Sequence, residues 1–214
     1  MELANRQSMR FSLIVCSYNP NPEWLANALK SARGFDEIIL VDDGSTEPIV
    51  GATVRHEKNL GLYEAKNTGI RLATGDIICF LDDDDELVPE ITEEMREFVR
   101  QSDGDIFSFH LQCFGDNNST YGGGNNPDNL KQSNQFVGVS WFRKSVWTEV
   151  GGFTYPYAED WEFWIKAHKA GKKFVFFPKI FYRYRVRKDS VSHSWGSALS
   201  EKIMQDMRKL CISL

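Results

Sequence analysis

A chain of 214 residues is long enough for one substantial core, and 42% apolar with 26% charged residues is the balance of a globular domain rather than a disordered or fibrous one. The formal net charge of −5 argues against a general nucleic-acid binder, which needs a basic footprint, and no run approaches the ~20 apolar residues of a membrane span. Cys16, Cys79, Cys113 and Cys211 are widely spaced with no C-x-x-C pair, which points to reduced, packed thiols rather than a zinc site or a disulfide framework. The N-terminus has no charged-then-apolar signal pattern, so the chain is expected to stay in the cytosol, where the sequon Asn118-Ser119-Thr120 carries no meaning.

Met1 to Arg10 is polar and patternless and reads as a disordered leader, residues 1–10. Phe11 to Ser17 predicts a central strand, stopped by Asn19-Pro20-Asn21-Pro22, which bars a helix until Glu23. Glu23 to Arg33 then sets Trp24, Leu25, Ala28, Leu29 and Ala32 on one helical face, with Gly34 as its cap. Glu37 to Val41 predicts a second strand that runs at once into Asp42-Asp43-Gly44-Ser45-Thr46. Thr53 to His56 is a short third strand, and Leu62 to Ala73 a helix closed by Gly75.

The next strand, Ile77 to Leu81, ends in Asp82-Asp83-Asp84-Asp85-Glu86. An apolar run of this kind reads as a strand buried on both faces of a parallel sheet, which puts the acids at its carboxyl end, where open α/β sheets bind ligands. Adjacent carboxylates raise one another's pKa unless a cation or a ring of donors compensates, and a divalent metal is the simplest compensator. A solvated acidic loop is the bland alternative. A calcium loop is rejected, because its sixth position needs Gly and here holds Leu87. Two strands ending in acids at one sheet edge weigh more than either cluster alone.

Pro89 to Arg100 predicts a helix and Asp105 to Phe114 a strand. Gly115 to Gln135 is nearly free of hydrophobics and long for a passive loop, which leaves a lid and an insertion as equal readings. Phe136 to Phe142 reads as a strand, Arg143 to Val150 as a short helix, and Gly151-Gly152-Phe153 as a tight stop. Ala158-Glu159-Asp160 opens a helix whose Trp161, Trp164, Ile165 and His168 share a face, read as core in preference to sugar stacking. From Lys179 to Lys188 a strand period puts Arg183, Arg185 and Arg187 on one face. That face is either a charged edge strand or a cationic surface for an anionic substrate. Ser197 to Leu214 is an amphipathic helix expected to dock on its own domain rather than on a membrane, since Glu201 and Asp206 interrupt its basic residues.

Taken together, Phe11 to Pro20, Val41-Asp42-Asp43-Gly44-Ser45, Asn59-Leu60-Gly61 with Ala65-Lys66-Asn67-x-Gly69-Ile70, Gly75-Asp76 with Leu81 to Asp85, Gly151-Gly152-Phe153 and Glu159-Asp160 resemble family 2 glycosyltransferases of the GT-A fold. Each piece is weak, but six in register over residues 11 to 190 are not. The resemblance implies a Rossmann-like, mixed but mostly parallel α/β sheet flanked by helices in one domain. It divides residues 11–196 into a nucleotide-binding half, 11–100, and an acceptor-binding half, 101–196, followed by the helix 197–214. It further implies inverting transfer of a sugar from a nucleotide-diphosphate sugar, a UDP-sugar favoured, to a saccharide or lipid-linked saccharide acceptor. By position, Cys16, Ser17 and Tyr18 would line the nucleoside pocket, Asp43 would bond the base, and Gly61 and Lys66 would stand near the nucleotide. Asp82 to Asp84 would be the D-x-D motif, with Asp83 at the ribose and Asp84 ligating Mg²⁺ or Mn²⁺. Asp160 would be the general base, supported by Glu159. Where relatives carry His before the Ser-x-Ser of the acceptor side, this chain has Arg187, expected with Lys188 to act on the diphosphate; His193 lies beyond. The resemblance leaves at most peripheral membrane association and leaves a homodimer open. A sugar nucleotidyltransferase and a non-catalytic nucleotide-sugar module are the competing classes; the first would carry a Gly-rich loop where Ser17-Tyr18-Asn19-Pro20 stands.

Overall fold

The computed structural model describes residues 8–122, 126–187 and 197–212. Strand β1 (Phe11–Ser17) is almost wholly buried and sits mid-sheet, as its unbroken apolar run requires. It pairs in parallel with β2 (Glu37–Asp42) on one side and β4 (Ile77–Asp82) on the other, and β3 (Val54–Arg55) extends the parallel set beyond β2. Helix α1 (Pro22–Ser31) starts where the sequence lets it: Asn21 caps the N–H groups of Glu23 and Trp24, and Pro22 takes the first turn. Helix α2 (Leu62–Leu72) follows β3 and packs on β1 and β2. These strand–helix–strand crossovers join parallel strands and bring the carboxyl ends of β1, β2, β3 and β4 to one edge.

Beyond β4 the sheet changes sense. The order continues through β8 (Trp141–Arg143), β6 (Ile106–Gly115), β9 (Phe174–Val186) and β5 (Glu86–Leu87), with β7 (Thr120–Gly122) added to β6. Strand β8 runs antiparallel to both neighbours, whereas β6 and β9 are parallel to each other with a register shift around His110. Strand β9 lies between β6 and β5, so the charged-edge reading of its arginines is corrected: they face the acid run. Helix α3 (Pro89–Gln101) buries Thr92, Met95 and Val99.

Three expectations change in detail. Residues Phe136 to Ser140 are not strand; Phe136, Val137 and Val139 are buried, but the backbone turns, with Ser140 N–H donating to the Val137 carbonyl. A short apolar run marks burial without fixing backbone shape. The segment 115–135, read as either a lid or an insertion, contributes β7 and a 3₁₀ helix (Pro127–Lys131) capped by Asn126 and anchored by buried Leu130. Helix α1 ends at Ser31 with Ala32 as its cap, ahead of Gly34. Residues 1–7 of the expected leader lie outside the described residues, while Met9 is buried and the Arg10 N–H donates to Asp76.

Helix α4 (Lys144–Val150) ends at Gly151, whose φ of 81° supplies the left-handed cap. Helix α5 (Glu159–Lys169) buries Trp161, Phe163, Trp164 and Ile165, with Phe163 and Trp164 on Phe142 and Phe163 on Phe153; the core reading of the stripe holds for Trp161, Trp164 and Ile165, while His168 at its end is half-exposed. Helix α6 (Ser197–Ile212) docks on α5 and the 3₁₀ helix through Ile203 and Met207, and Tyr155 Oη donates to Asp206. Among the described residues no helix is long and apolar enough to cross a membrane.

Candidate active site

The parallel register sets Ser17 beside Asp42 and Cys16 beside Asp82, so three strand ends meet at one edge. The Asp42 carboxylate turns inward, accepting from the N–H groups of Ser45 and Ile49; burial pushes its pKa up, and these bonds with Arg55 more than offset it, leaving the group below the usual range. Asp43, the next residue, is buried too. Its carboxylate accepts from Leu60 N–H and Gly61 N–H at 2.9 Å each and from His56 Nδ1 at 2.7 Å, which fixes its plane and, of about four lone-pair sites, leaves one for a ligand. The turn that carries it needs Gly44: φ is 75°, and a Cβ there would lie 2.3 Å from the Lys58 carbonyl carbon. Tyr18 beside it is half exposed.

The acid run is not a solvated loop. Ser17 Oγ donates to Asp83 Oδ2 at 2.5 Å, Arg187 pairs with Asp84 at 3.2 Å, and Asp85 is fully buried with Arg185 N–H donating to its Oδ1. Glu86 pairs with Arg183. Tyr182 Oη, from β9, accepts the Asp82 N–H at 3.0 Å. Phe114 and Trp24 stack between the guanidiniums: Arg183 and Arg185 lie over Phe114, and Arg185 and Arg187 over Trp24.

Even so, the run is short of positive charge. Burial pushes the Asp82 carboxyl up to about 7, against the pull of Lys66 and with the help of Asp84, Asp83 and Glu159. Burial raises Asp83 too, partly opposed by Ser17 and added to by Asp84, and it carries Asp85 well above the carboxylate range. A divalent cation would relieve this, and the donors are the hard oxygens that Mg²⁺ and Mn²⁺ take. Among the described residues no three His, Cys, Asp or Glu side chains form a cage. An ion here would therefore rest on Asp84 and on substrate oxygens, the usual mode for Mg²⁺ beside a phosphate.

Lys66 joins this edge to the second half of the molecule. Its Nζ donates to Glu159 Oε1 at 2.8 Å and lies 5.0 Å from the Phe80 ring centroid, with side chains 4% and 10% exposed for Lys66 and Glu159. Burial works against its charge, but Glu159, Asp82 and Asp160 outweigh that and raise its pKa. Asn67, the next residue, receives N–H bonds from Phe153 and Trp147 on Oδ1 and donates to the Phe153 carbonyl, which ties the Gly151-Gly152-Phe153 stop to α2. Asp160 is held by two donors, Trp161 N–H on Oδ1 at 2.8 Å and Asn134 Nδ2 on Oδ2 at 2.7 Å. Burial, then Glu159, pushes its carboxyl up to about 6, against Lys66. Cys16 is part-buried, and desolvation, with Asp82, Asp43 and Glu159, outweighs Lys66 and keeps its thiol protonated.

Lys66 thus acts on Glu159, Asp82 and Asp160 together, and Asp83 and Asp84 act on Asp82. Lys188 and His193 lie outside the described residues. Four contributors went unread in the sequence: His56, Trp24, Tyr182 and Asn134. Asn134 sits in an Asn- and Gly-rich stretch with no periodicity, so no local signal could have singled it out.

Residues 1–349 of S. aureus TarS, crystallised in complex with UDP-GlcNAc, superpose on this chain with a TM-score of 0.77 at 19% identity, covering 95% of this chain and 66% of that one. The fold is accordingly of the GT-A class, a mixed α/β domain with a curled sheet flanked by helices. The model of the family "Glycosyl transferase family 2" matches residues 12–185, and the chain belongs to that family. An uncharacterized glycosyltransferase of Haemophilus influenzae is 34% identical over 110 residues, which are 46% of this chain and 37% of the relative. The amylovoran biosynthesis glycosyltransferase AmsE of Erwinia amylovora is 25% identical over 219 residues, 89% of this chain and 82% of the relative. The chain thus spans well under half of the first relative and most of the second.

Proposed function

We propose that the protein transfers a sugar from a nucleotide-diphosphate sugar to a hydroxyl of a saccharide or lipid-linked saccharide, with inversion and with Mg²⁺ or Mn²⁺. The observation that carries this reading is the Lys66 hub, whose buried ammonium pairs with Glu159 and sets the half-buried Asp82 of the donor edge and the Glu159–Asp160 pair in one electrostatic field. Cys16, Ser17 and Tyr18 line the nucleoside side, Asp43 offers its remaining lone pair to the base beside Gly61, and Asp83 takes the ribose. A UDP-sugar is the favoured donor, supported by the UDP-GlcNAc complex of TarS. The name of AmsE supports a place in polysaccharide synthesis.

Asp84 would hold the divalent ion, and the ion would supply Lewis-acid neutralisation of the charge that develops on the departing diphosphate. The chain's own cations would do related work: Arg187, stacked on Trp24, would face the phosphates, and Lys66 pairs with Glu159 beside the base. The acceptor oxygen forms a bond to the anomeric carbon as the bond from that carbon to the diphosphate oxygen breaks. The electron pair leaves on the diphosphate, and the acceptor's proton moves to Asp160. A carboxyl raised to about 6 is ionised at neutral pH and yet basic enough to take that proton.

The test is Asp160→Asn. Transfer should fall by about 10²- to 10⁴-fold, while donor-dependent thermal stabilisation in Mn²⁺ stays near wild type. Near-full transfer by the variant would remove the base assignment. Donor binding by the wild type without any turnover would favour the non-catalytic module instead.

A further inference from the structure

Asp160 is gripped from a segment that has no place in the family motifs. The Asn134 amide donates to Oδ2 at 2.7 Å, and its own Oδ1 accepts the Phe136 N–H at 3.3 Å, a pairing that sets which way the amide points. Four residues on, Gly138 lies flat against the same carboxyl: a Cβ there would be 2.9 Å from Oδ2, 3.4 Å from Cγ and 3.5 Å from Cβ of Asp160. Gly138 is not among the glycines with positive φ, so the backbone does not require it. What requires it is the space that Asp160 occupies. The turn between the two residues is pinned by the core through buried Phe136 and Val137, and the preceding 3₁₀ helix is tied to the same helix start, since Trp161 Nε1 donates to the Leu130 carbonyl at 2.8 Å.

We propose that Asn134 and Gly138 are positioning residues for the Asp160 carboxylate, which, on the base reading above, they hold at one rotation with fixed lone pairs facing the acceptor. Trp161 N–H occupies one site on Oδ1 and Asn134 one site on Oδ2, so rotation about the Cβ–Cγ bond would break a hydrogen bond on each oxygen. Proton transfer is sensitive to such a lock, because a displacement of about 1 Å at a reacting group can cost 10²-fold in rate. The charged groups that face Asp160 are Glu159 on its own helix and Lys66 from α2, with Asp82 beyond Lys66. Among the described residues the hydrogen bond of Asn134 to this group of charges is to Asp160, so substitution at 134 alters one donor and leaves the Lys66–Glu159 pair in place.

The experiment uses the full chain with Asn134→Ala, Asn134→Asp and Gly138→Ala. It reads kcat and donor KM across pH with a UDP-sugar in Mn²⁺, and separately the ¹³C titration of the Asp160 carboxyl, which needs no turnover. Expected is a fall in kcat of about 10- to 100-fold in all three, with donor KM within a factor of two. The acid limb and the ¹³C titration should move to higher pH in Asn134→Ala, because a donor to the ionised form is gone, and further in the isosteric Asn134→Asp, which adds a like charge. Wild-type kcat with an unmoved titration overturns the proposal. So does a loss of kcat, donor binding and thermal stability together, which would mark a purely structural loop. Asp160→Asn in the same assay separates the two readings. An inactive Asp160→Asn beside normal position-134 and position-138 variants overturns this inference alone, and an active one overturns the base reading and this inference with it.

Discussion

Lys66 is a cation without a route to water. Its ammonium lies between the Phe80 and Phe153 rings and is paired with Glu159, itself almost buried. Removing one member of such a pair leaves an uncompensated buried charge, which costs about 3–5 kcal/mol, whereas removing both with shape kept can be close to neutral. Lys66→Met should therefore lower the unfolding free energy in urea by about 3–5 kcal/mol, and adding Glu159→Gln should recover most of the loss. A single-variant cost below about 1 kcal/mol, the scale of an exposed pair, would show that the hub is solvated. The same residue is the cation that Asp82, Glu159 and Asp160 share.

At the level of elements, the decisive contact is the approach of α2 to β1. A Cβ at Gly69 would lie 2.4 Å from Ile14 Cγ2, on a β-branched side chain with little rotamer freedom. Two effects oppose each other in Gly69→Ala. Replacing a mid-helix glycine gains up to about 1 kcal/mol of helix propensity, and overpacking costs about 1–3 kcal/mol. Since the clash falls on the stiff part of Ile14, overpacking should win and the variant should be destabilised in chemical denaturation; a stabilised variant would mean that Ile14 swings away freely. The first half of the chain was read nearly element for element, because each apolar run there has a period of its own and is bounded by Asn, Pro or Gly. Phe136 to Ser140 was misread because its apolar residues are buried by the sheet and α5 around them, which five residues of sequence cannot announce.

For the molecule as a whole, the raised carboxyls set a pH dependence. Asp82 at about 7 and Asp160 at about 6, with Asp83 and Asp85 raised as well, all bind protons more tightly folded than unfolded. The stability tied to Asp82 and Asp160 is complete below their unfolded values near 3.8 and is lost as pH climbs through 6 to 7, and Asp83 and Asp85 act in the same direction. Asp42 and Glu37, lowered on balance despite burial, act the other way, but their contribution is lost only as pH falls below about 4. Between pH 5 and 8, without nucleotide or divalent ion, the thermal midpoint should therefore fall with rising pH, and Asp82→Asn should flatten that slope. A midpoint that rises across the same interval would show that the acid run is compensated within the chain.

The α/β alternation, the two acid-ended strands at one edge and the order of the family motifs were all present in the sequence, because strand and helix periods and turn residues are local. Asp43, Asp82 to Asp84, Glu159 and Asp160 could be named on that basis. Only the tertiary structure decided that Lys66 links the two acid groups, that the β9 arginines lie against the acid run instead of along an edge, and that Asn134 and Gly138 close on Asp160. These contacts join side chains that are far apart in the chain. Such pairing depends on how the crossovers and the β6–β9 register bring the elements together, and no local period carries that information.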